Sequence, residues 1–224
     1  MPLRILVTGF EPFQNQPFNP SGLAALAANG RAVHTTINGS LRSGTIQGRV
    51  LHVLWGGGPN ELLQHISSVH PHIVISTGMA STTFRVEQRA DDQQLPIADN
   101  QQNLPPTVRA TPTRFRATRL PIARIEQAIR TAGGPVSPSN SAGGFLCDQV
   151  FLTLMDLFYT RGAALGLLRA GFIHTPSNDH VAAPGFASPG PTAIAQSIVN
   201  TAILGAVTAT VADLTDAEYQ RTQP

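Results

Sequence analysis

The sequence predicts an α/β fold, a three-layer αβα sandwich with a largely parallel, mixed central sheet. Short apolar runs of strand length alternate with segments of helical periodicity, the pattern of parallel strands joined by helices. Hydrophobic residues make up 42% of the chain and charged residues only 12%, so the chain can form a core and carries too little charge for disorder. The 224 residues contain no internal repeat or linker, and we expect a single domain over residues 1–224.

The first half of the chain is predicted to hold three buried strands and two helices. Asn19 and Pro20 suit the cap and first turn of a helix that ends at Gly30. In chain order the elements are a strand at 4–10, that helix, a strand at 49–55, a helix at 60–69 and a strand at 72–77.

The second half begins with a polar, proline-rich stretch at 98–112 that lacks periodicity, and we expect a mobile loop or part of an assembly interface there. A strand at 116–121 stays open. Apolar residues recur every three or four positions within 147–160, which predicts a helix with one buried face. The other elements are helices at 121–132 and 191–214 and a strand at 170–173.

Composition and charge exclude several classes of function. The net charge of +2 is a weak reason to propose nucleic acid, and one cysteine cannot form an internal disulfide. No cluster has metal-ligand spacing, so we expect neither a metal nor a cofactor. The apolar runs are too short or too interrupted for a signal peptide or a membrane span, which favours a soluble cytoplasmic protein without membrane contact.

The lone cysteine, Cys147, is the first candidate for chemistry. Small residues at 139–144 lead into the helix predicted there, so the thiol lies at or near a helix N-terminus. Free backbone N–H groups and the helix dipole favour the reactive thiolate at such a position. A buried core cysteine is the alternative from position alone.

A nucleophilic thiol needs a base and an acid that orients the base. His174 differs from the other six histidines because it ends a strand, where ligand sites of open α/β sheets collect. Glu87 is a candidate acid, and spacing cannot choose between it and its rivals Asp91, Asp92 and Asp99. The turn Gly56-Gly57-Gly58 gives a weaker hypothesis of a sugar- or nucleoside-handling enzyme, although a plain tight turn explains it as well.

Four separated blocks of the chain resemble the class I pyroglutamyl peptidases, also called pyrrolidone-carboxylate peptidases. The blocks are Thr-Gly-Phe-Glu-Pro-Phe at 8–13, Asn-Pro-Ser at 19–21, Ser-Asn-Ser-Ala-Gly at 139–143 before the cysteine, and Gly-Phe-Ile-His-Thr-Pro at 171–176. The resemblance implies a cysteine exopeptidase that removes an N-terminal pyroglutamyl residue from peptides through an acyl-enzyme.

By the same resemblance, Cys147 matches the nucleophile, His174 the base and Glu87 the acid behind the base. The substrate begins with a neutral lactam, so its pocket should be mainly apolar. Family positions that line or set up this pocket fall on Phe10, Phe13, Asn19, Met79, Ile97, Phe145 and Leu146. Members of the family often form dimers or tetramers, so we expect a homo-oligomer.

This chain departs from the family at several places near the site. The family's Gly-Gly-Arg stretch is absent from 78–83, and its Glu-Arg…Asn pattern reads Glu-Gln-Arg-Ala-Asp-Asp at 87–92. Pro96 stands where the family has an arginine thought to assist near the oxyanion, and either Arg85 or Arg89 could replace it. Asp148 replaces an asparagine, and an acid beside the thiol would raise the thiol pKa, against the effect of the helix end. The altered region around Glu87 and the presence of Pro96 leave a second hypothesis open: a non-catalytic relative that binds pyroglutamate or a peptide terminus.

Overall fold

Eight strands and six helices form within residues 2–14, 16–181 and 193–223, which the computed structural model describes. The strands are β1 (Leu3–Phe10), β2 (Ala32–Ile37), β3 (Ser40–Leu51), β4 (Ile73–Ser81), β5 (Arg85–Val86), β6 (Arg89–Asp91), β7 (Phe115–Ala117) and β8 (Arg169–Pro176). The helices are α1 (Pro20–Ala28), α2 (Gly57–Val69), α3 (Ile122–Thr131), α4 (Leu146–Leu165), α5 (Gln196–Asp213) and α6 (Asp216–Gln220).

Six strands make the central sheet, in the order β2-β3-β1-β4-β8-β5. The four inner strands run parallel, while β2 and β5 are antiparallel edges. From β1 the chain first crosses to β3 on one side and then to β4 on the other. The carboxyl ends of β1 and β4 therefore border a crevice of the kind where α/β proteins bind ligands.

Helices cover both faces of this sheet. Successive residues of β1 point to opposite faces, so Ile5 and Val7 join one buried cluster while Leu6 and Phe10 join the other. Helices α1, α3 and α5 pack on the first face, and α2 and α4 on the second. The predicted three-layer αβα sandwich with a mixed sheet is confirmed.

Most predicted elements form with shifted ends, and the strand predicted at 49–55 is the clearest error. Strand β3 runs further back and stops at Leu51, and residues 52–55 leave the sheet and lead to Gly56, which has a φ of 73° and is the N-cap residue of α2. Strand β2 was not predicted. The Asn19 side chain caps α1 by accepting the Ser21 N–H, as expected.

Strands β5 and β6, within residues 85–91, were likewise not predicted, and the remaining differences lie in the second half. The possible strand at 116–121 forms as β7, which pairs with β6 in a separate two-stranded sheet. The last long helix begins at Gln196 instead of residue 191, which lies outside the described residues. The stretch 98–112 forms no named helix or strand, and Asp99 anchors its start by accepting the N–H groups of Trp55, Gln101 and Asn103.

Candidate active site

A cavity of about 350 Å³ lies at the carboxyl ends of the central strands. Its wall includes Phe10 from the end of β1, Met79 from β4 and His174 from β8, together with residues 141–143 and 145–147 before and at the start of α4. The cavity thus occupies the crevice that the strand order creates.

Cys147 is the second residue of α4 and lines this cavity, with part of its surface exposed. The approach to the helix bends sharply, since Gly143 and Gly144 have φ values of 92° and 70° that side chains strongly disfavour. The first N–H groups of a helix lack partners inside it. The thiol therefore lies beside free backbone donors, as the sequence predicted.

Gly78 of β4 connects the sulfur to the histidine strand. A Cβ atom at Gly78 would lie 2.7 Å from Cys147 Sγ, so only glycine leaves room for the sulfur there. Gly78 is also the register partner of His174 across the β4–β8 pair. Cys147 Sγ and His174 are therefore both neighbours of this one glycine.

His174 is held by Glu87. His174 Nδ1 lies 2.7 Å from Glu87 Oε1, and the two side chains are 1% and 0% exposed. Glu87 directly follows the edge strand β5, and its N–H donates to the Phe172 carbonyl at 3.0 Å. His174 Nε2 has no hydrogen-bond partner among the described residues, which leaves it available to a proton from the cavity side. The structure brings all three predicted catalytic residues to one place, with Glu87 behind the imidazole and outside the cavity wall.

The surroundings of Cys147 favour the neutral thiol. Burial raises the pKa of the Cys147 thiol, and the negative charges of Asp148 and Glu87 raise it further, whereas the Cys147 N–H opposes them. The helix end acts in the predicted direction, because the Cys147 N–H lowers the pKa of the thiol, but burial outweighs this effect. The predicted opposing effect of Asp148 is confirmed. A neutral thiol must lose its proton to a base as it attacks.

Asp148 itself is fully buried beside the nucleophile. One carboxylate oxygen, Oδ2, accepts the N–H of Gly144, and Oδ1 makes no hydrogen bond of ordinary geometry within the described part of the chain. Burial raises the pKa of Asp148 to about 7, with smaller contributions in the same direction from the charges of Asp91 and Glu87. The carboxyl therefore holds the turn before Cys147 and changes charge near neutral pH.

The rest of the cavity is mainly apolar. All seven residues predicted to line the lactam pocket contribute to its wall: Phe10, Phe13, Asn19, Met79, Ile97, Phe145 and Leu146. The Phe13 and Phe145 rings lie 4.9 Å apart, centroid to centroid. Asn19 combines this position with its role as helix cap, and its Nδ2 donates to the Glu11 carbonyl at 3.0 Å.

Sequence reasoning missed several residues at the site. The Trp55 ring meets Phe145 edge-on at 5.2 Å, and its Nε1 donates to the Ile97 carbonyl at 2.9 Å, so Trp55 fixes two predicted pocket residues. Gln14 and Gln16 also line the cavity. Trp55 lay inside an apolar run that was interpreted as a strand, and no pattern marked the glutamines.

Two features are absent from the described residues. No group of three or more histidine, cysteine, aspartate or glutamate side chains is placed to hold a metal ion. None of the described helices combines the length and apolar character needed to cross a membrane.

A thiol at the start of a helix, sharing a cavity with an imidazole that a buried carboxylate holds, is the arrangement of a cysteine hydrolase. A family model described as pyroglutamyl peptidase matches residues 3–212. The chain belongs to the pyroglutamyl peptidase family, a family of cysteine-type hydrolases, and the predicted family and enzyme class are confirmed.

Individual relatives agree with this assignment. The pyrrolidone-carboxylate peptidase of Cupriavidus necator is 32% identical over 224 residues, 96% of each chain. That of Cupriavidus pinatubonensis is 37% identical over 194 residues, 82% of this chain and 84% of the relative. The crystal structure of Bacillus amyloliquefaciens pyroglutamyl peptidase I superposes with a TM-score of 0.78 at 25% identity, covering 94% of this chain and 97% of that one.

Proposed function

We propose that this protein removes the N-terminal pyroglutamyl residue from peptides, with Cys147 as nucleophile, His174 as base and Glu87 as the residue that orients the base. One observation carries the proposal: Cys147 and His174 line one cavity together with all seven residues predicted for the lactam pocket. Membership of the family and the names of the relatives support the same substrate class.

The first half of the reaction forms an acyl-enzyme. Cys147 Sγ attacks the carbonyl carbon that joins pyroglutamate to the next residue, and the thiol proton moves to His174 Nε2. The oxyanion that forms accepts hydrogen bonds from N–H groups in the first turn of α4. The carbon–nitrogen bond then breaks, the proton on Nε2 passes to the leaving amine, and a thioester to Cys147 remains.

The second half releases pyroglutamate. A water molecule attacks the thioester carbon while Nε2 takes one of its protons. The carbon–sulfur bond breaks, Nε2 returns the proton to sulfur, and the free acid leaves. Glu87 acts through the histidine: its carboxylate keeps Nδ1 protonated and stabilises the positive charge on the ring in both halves.

The apolar wall suits the chemistry of the first substrate residue. A lactam ring carries no charge, and the rings of Phe13 and Phe145 offer flat apolar surfaces to it. Backbone groups around Met79 supply the polar contacts that the ring N–H and C=O need.

Hydrolysis of a pyroglutamyl amide of a fluorescent amine tests the function directly. The reduced wild-type protein should release the fluorophore, whereas the alanyl amide of the same amine should stay intact. Cys147→Ala and His174→Ala should abolish release. His180→Ala is the matched control, because the His180 side chain is 57% exposed and does not line the cavity, and it should retain activity.

The raised pKa of the Cys147 thiol favours the alternative of a non-catalytic relative that binds pyroglutamate or a peptide terminus. Calorimetry decides between the two. Binding of pyroglutamate by an intact, reduced protein that turns over no pyroglutamyl amide would contradict the peptidase and support the alternative.

We further propose a cytoplasmic homo-oligomer, a dimer or tetramer, in which each chain is one peptidase domain. Leu104 and Val108 are 57% and 55% exposed in the proline-rich stretch, and apolar side chains exposed in this way suit a contact between subunits. Light scattering after size-exclusion chromatography should give a dimer or tetramer mass, and Leu104→Glu should lower that mass. A monomer at micromolar concentration would contradict this.

A further inference from the structure

Arg85 lies opposite the predicted base. It is the first residue of β5 and the direct register partner of His174 in the antiparallel β5–β8 pair. Side chains of residues directly opposite in such a pair lie on the same face of the sheet. Arg85 and His174 accordingly both line the cavity.

Arg85 is also the only permanently charged side chain among the described residues that line this cavity. The other polar lining side chains are neutral amides, a hydroxyl and the two predicted catalytic groups.

The guanidinium of Arg85 has no partner within the described part of the chain. Three other arginines lack one, Arg31, Arg161 and Arg221, but all three are exposed to solvent, whereas Arg85 is half-buried. Arg89, four residues further along, donates to the Asn140 carbonyl at 3.0 Å and stacks over the Phe115 ring. A half-buried cation is stabilised by an anion, and the described residues supply none to Arg85.

Because Arg85 lines the substrate cavity, its position indicates that the anionic partner of its guanidinium comes from the substrate. The proposed function places a neutral lactam against Phe13 and Phe145, so the lactam offers no charge to a guanidinium. A pyroglutamyl residue is the end of its peptide, and the substrate therefore extends only on the side of the leaving residue. A charge that reaches Arg85 belongs to that residue.

We propose that Arg85 is a specificity residue that binds a carboxylate on the residue after pyroglutamate. The inference rests on the proposed function and adds the substrate class. The carboxylate is either the free terminus of a pyroglutamyl dipeptide or the acidic side chain of a longer peptide. Guanidinium groups bind carboxylates through paired, charge-assisted hydrogen bonds in either case.

Two matched pairs of substrates separate these sources. Pyroglutamyl-alanine and its amide differ only in the terminal carboxylate, and pyroglutamyl-glutamate amide and pyroglutamyl-glutamine amide differ only in the side chain. We expect kcat/KM of the wild type to favour the carboxylate in at least one pair by about 10-fold, mostly through KM. The pair that shows the preference identifies the source.

Variants then assign the preference to Arg85. R85Q should bring the ratio within that pair close to one, R85K should keep part of it, and the control R89Q should leave it as in the wild type. Circular dichroism checks that each variant is folded, and R85K carries the test if R85Q does not fold.

Three results would overturn this inference. The first is that the wild type has equal kcat/KM values within both pairs, and the second is that R85Q keeps the wild-type ratio. The third is that R85Q lowers kcat/KM by the same factor on all four substrates, which would assign Arg85 to the oxyanion. The neutral amides report separately on the proposed function. A wild type that cleaves them without preferring a carboxylate contradicts only the role of Arg85, and one that cleaves no pyroglutamyl substrate contradicts both.

Discussion

The Asp148→Asn substitution is expected to stabilise the protein at and above neutral pH and to leave its stability unchanged in acid. Asp148 is fully buried, and burial raises its pKa from 3.8 to about 7. Asparagine has the shape of the protonated acid and keeps an oxygen that can accept the Gly144 N–H. The variant therefore retains the turn before the nucleophile and removes the buried charge.

The sign of the effect follows from the direction of the pKa change. A raised pKa in the folded state means that the fold favours the protonated carboxyl, so the unfolded chain loses this proton first. The contribution of Asp148 to stability is full below pH 4, falls between about pH 4 and 7, and stays low above pH 7. A rise of this size corresponds to on the order of 4 kcal/mol in the free energy of unfolding.

Urea unfolding from pH 4.5 to 8.5, followed by the fluorescence of Trp55, measures this difference. The free energy of unfolding of Asp148→Asn minus that of the wild type should grow with pH and level off near pH 7.5. Asp179→Asn is the control, because the Asp179 side chain is 52% exposed and its difference from the wild type should not follow this curve. A difference for Asp148→Asn that is the same at pH 5 and pH 8 would refute the reasoning.

Three further substitutions test other parts of the structure. Glu87→Gln keeps a hydrogen-bonding group beside His174 but removes the charge, so kcat should fall by about 10²-fold or more, and a kcat within threefold of the wild type would contradict the role of Glu87. Gly78→Ala places a methyl group 2.7 Å from Cys147 Sγ, so turnover and alkylation by iodoacetamide should both fall in a folded protein; alkylation at the wild-type rate would contradict this contact. Arg42→Met removes a buried guanidinium that binds carbonyl groups at the end of α5. Urea unfolding should show that the free energy of unfolding falls by about 2–4 kcal/mol, and a change below about 0.5 kcal/mol would contradict this role of Arg42.

The layers of the fold could be predicted from the sequence because the inner strands are continuous apolar runs and the helices are periodic. Strand β3 was harder to predict, because some of its residues are determined by close contacts with helices and not by an apolar strand pattern. A Cβ at Gly48 would lie 1.8 Å from the Ala25 carbonyl oxygen of α1, and the buried side chain of Arg42 points to the end of α5. Glycine and arginine at such positions do not resemble a buried strand until the partner helices are known.

Some residues of the candidate site could be predicted from their position in the sequence, and others could not. Position alone suggested Cys147 and His174, since one precedes a helix and the other ends a strand. Glu87 needed the family resemblance, because three aspartates fitted the spacing equally well. Arg85 was only one of two arginines considered for a lost family residue, because nothing in the sequence tells which of two neighbouring arginines faces a cavity.

The position of Glu87 depends on whether strand β5 stays paired with the sheet. The carboxylate that orients the imidazole directly follows this edge strand, which is two residues long and is joined to the sheet on one side only. Its flanks are fastened by three backbone hydrogen bonds, from Phe84 to Pro135, from Ser137 to Phe84 and from Glu87 to Phe172. Fraying of β5 separates Glu87 from the His174 imidazole while the remaining strands stay intact, because opening the edge of a sheet requires less free energy than global unfolding. On heating, enzymatic activity should therefore be lost at a lower temperature than that of global unfolding.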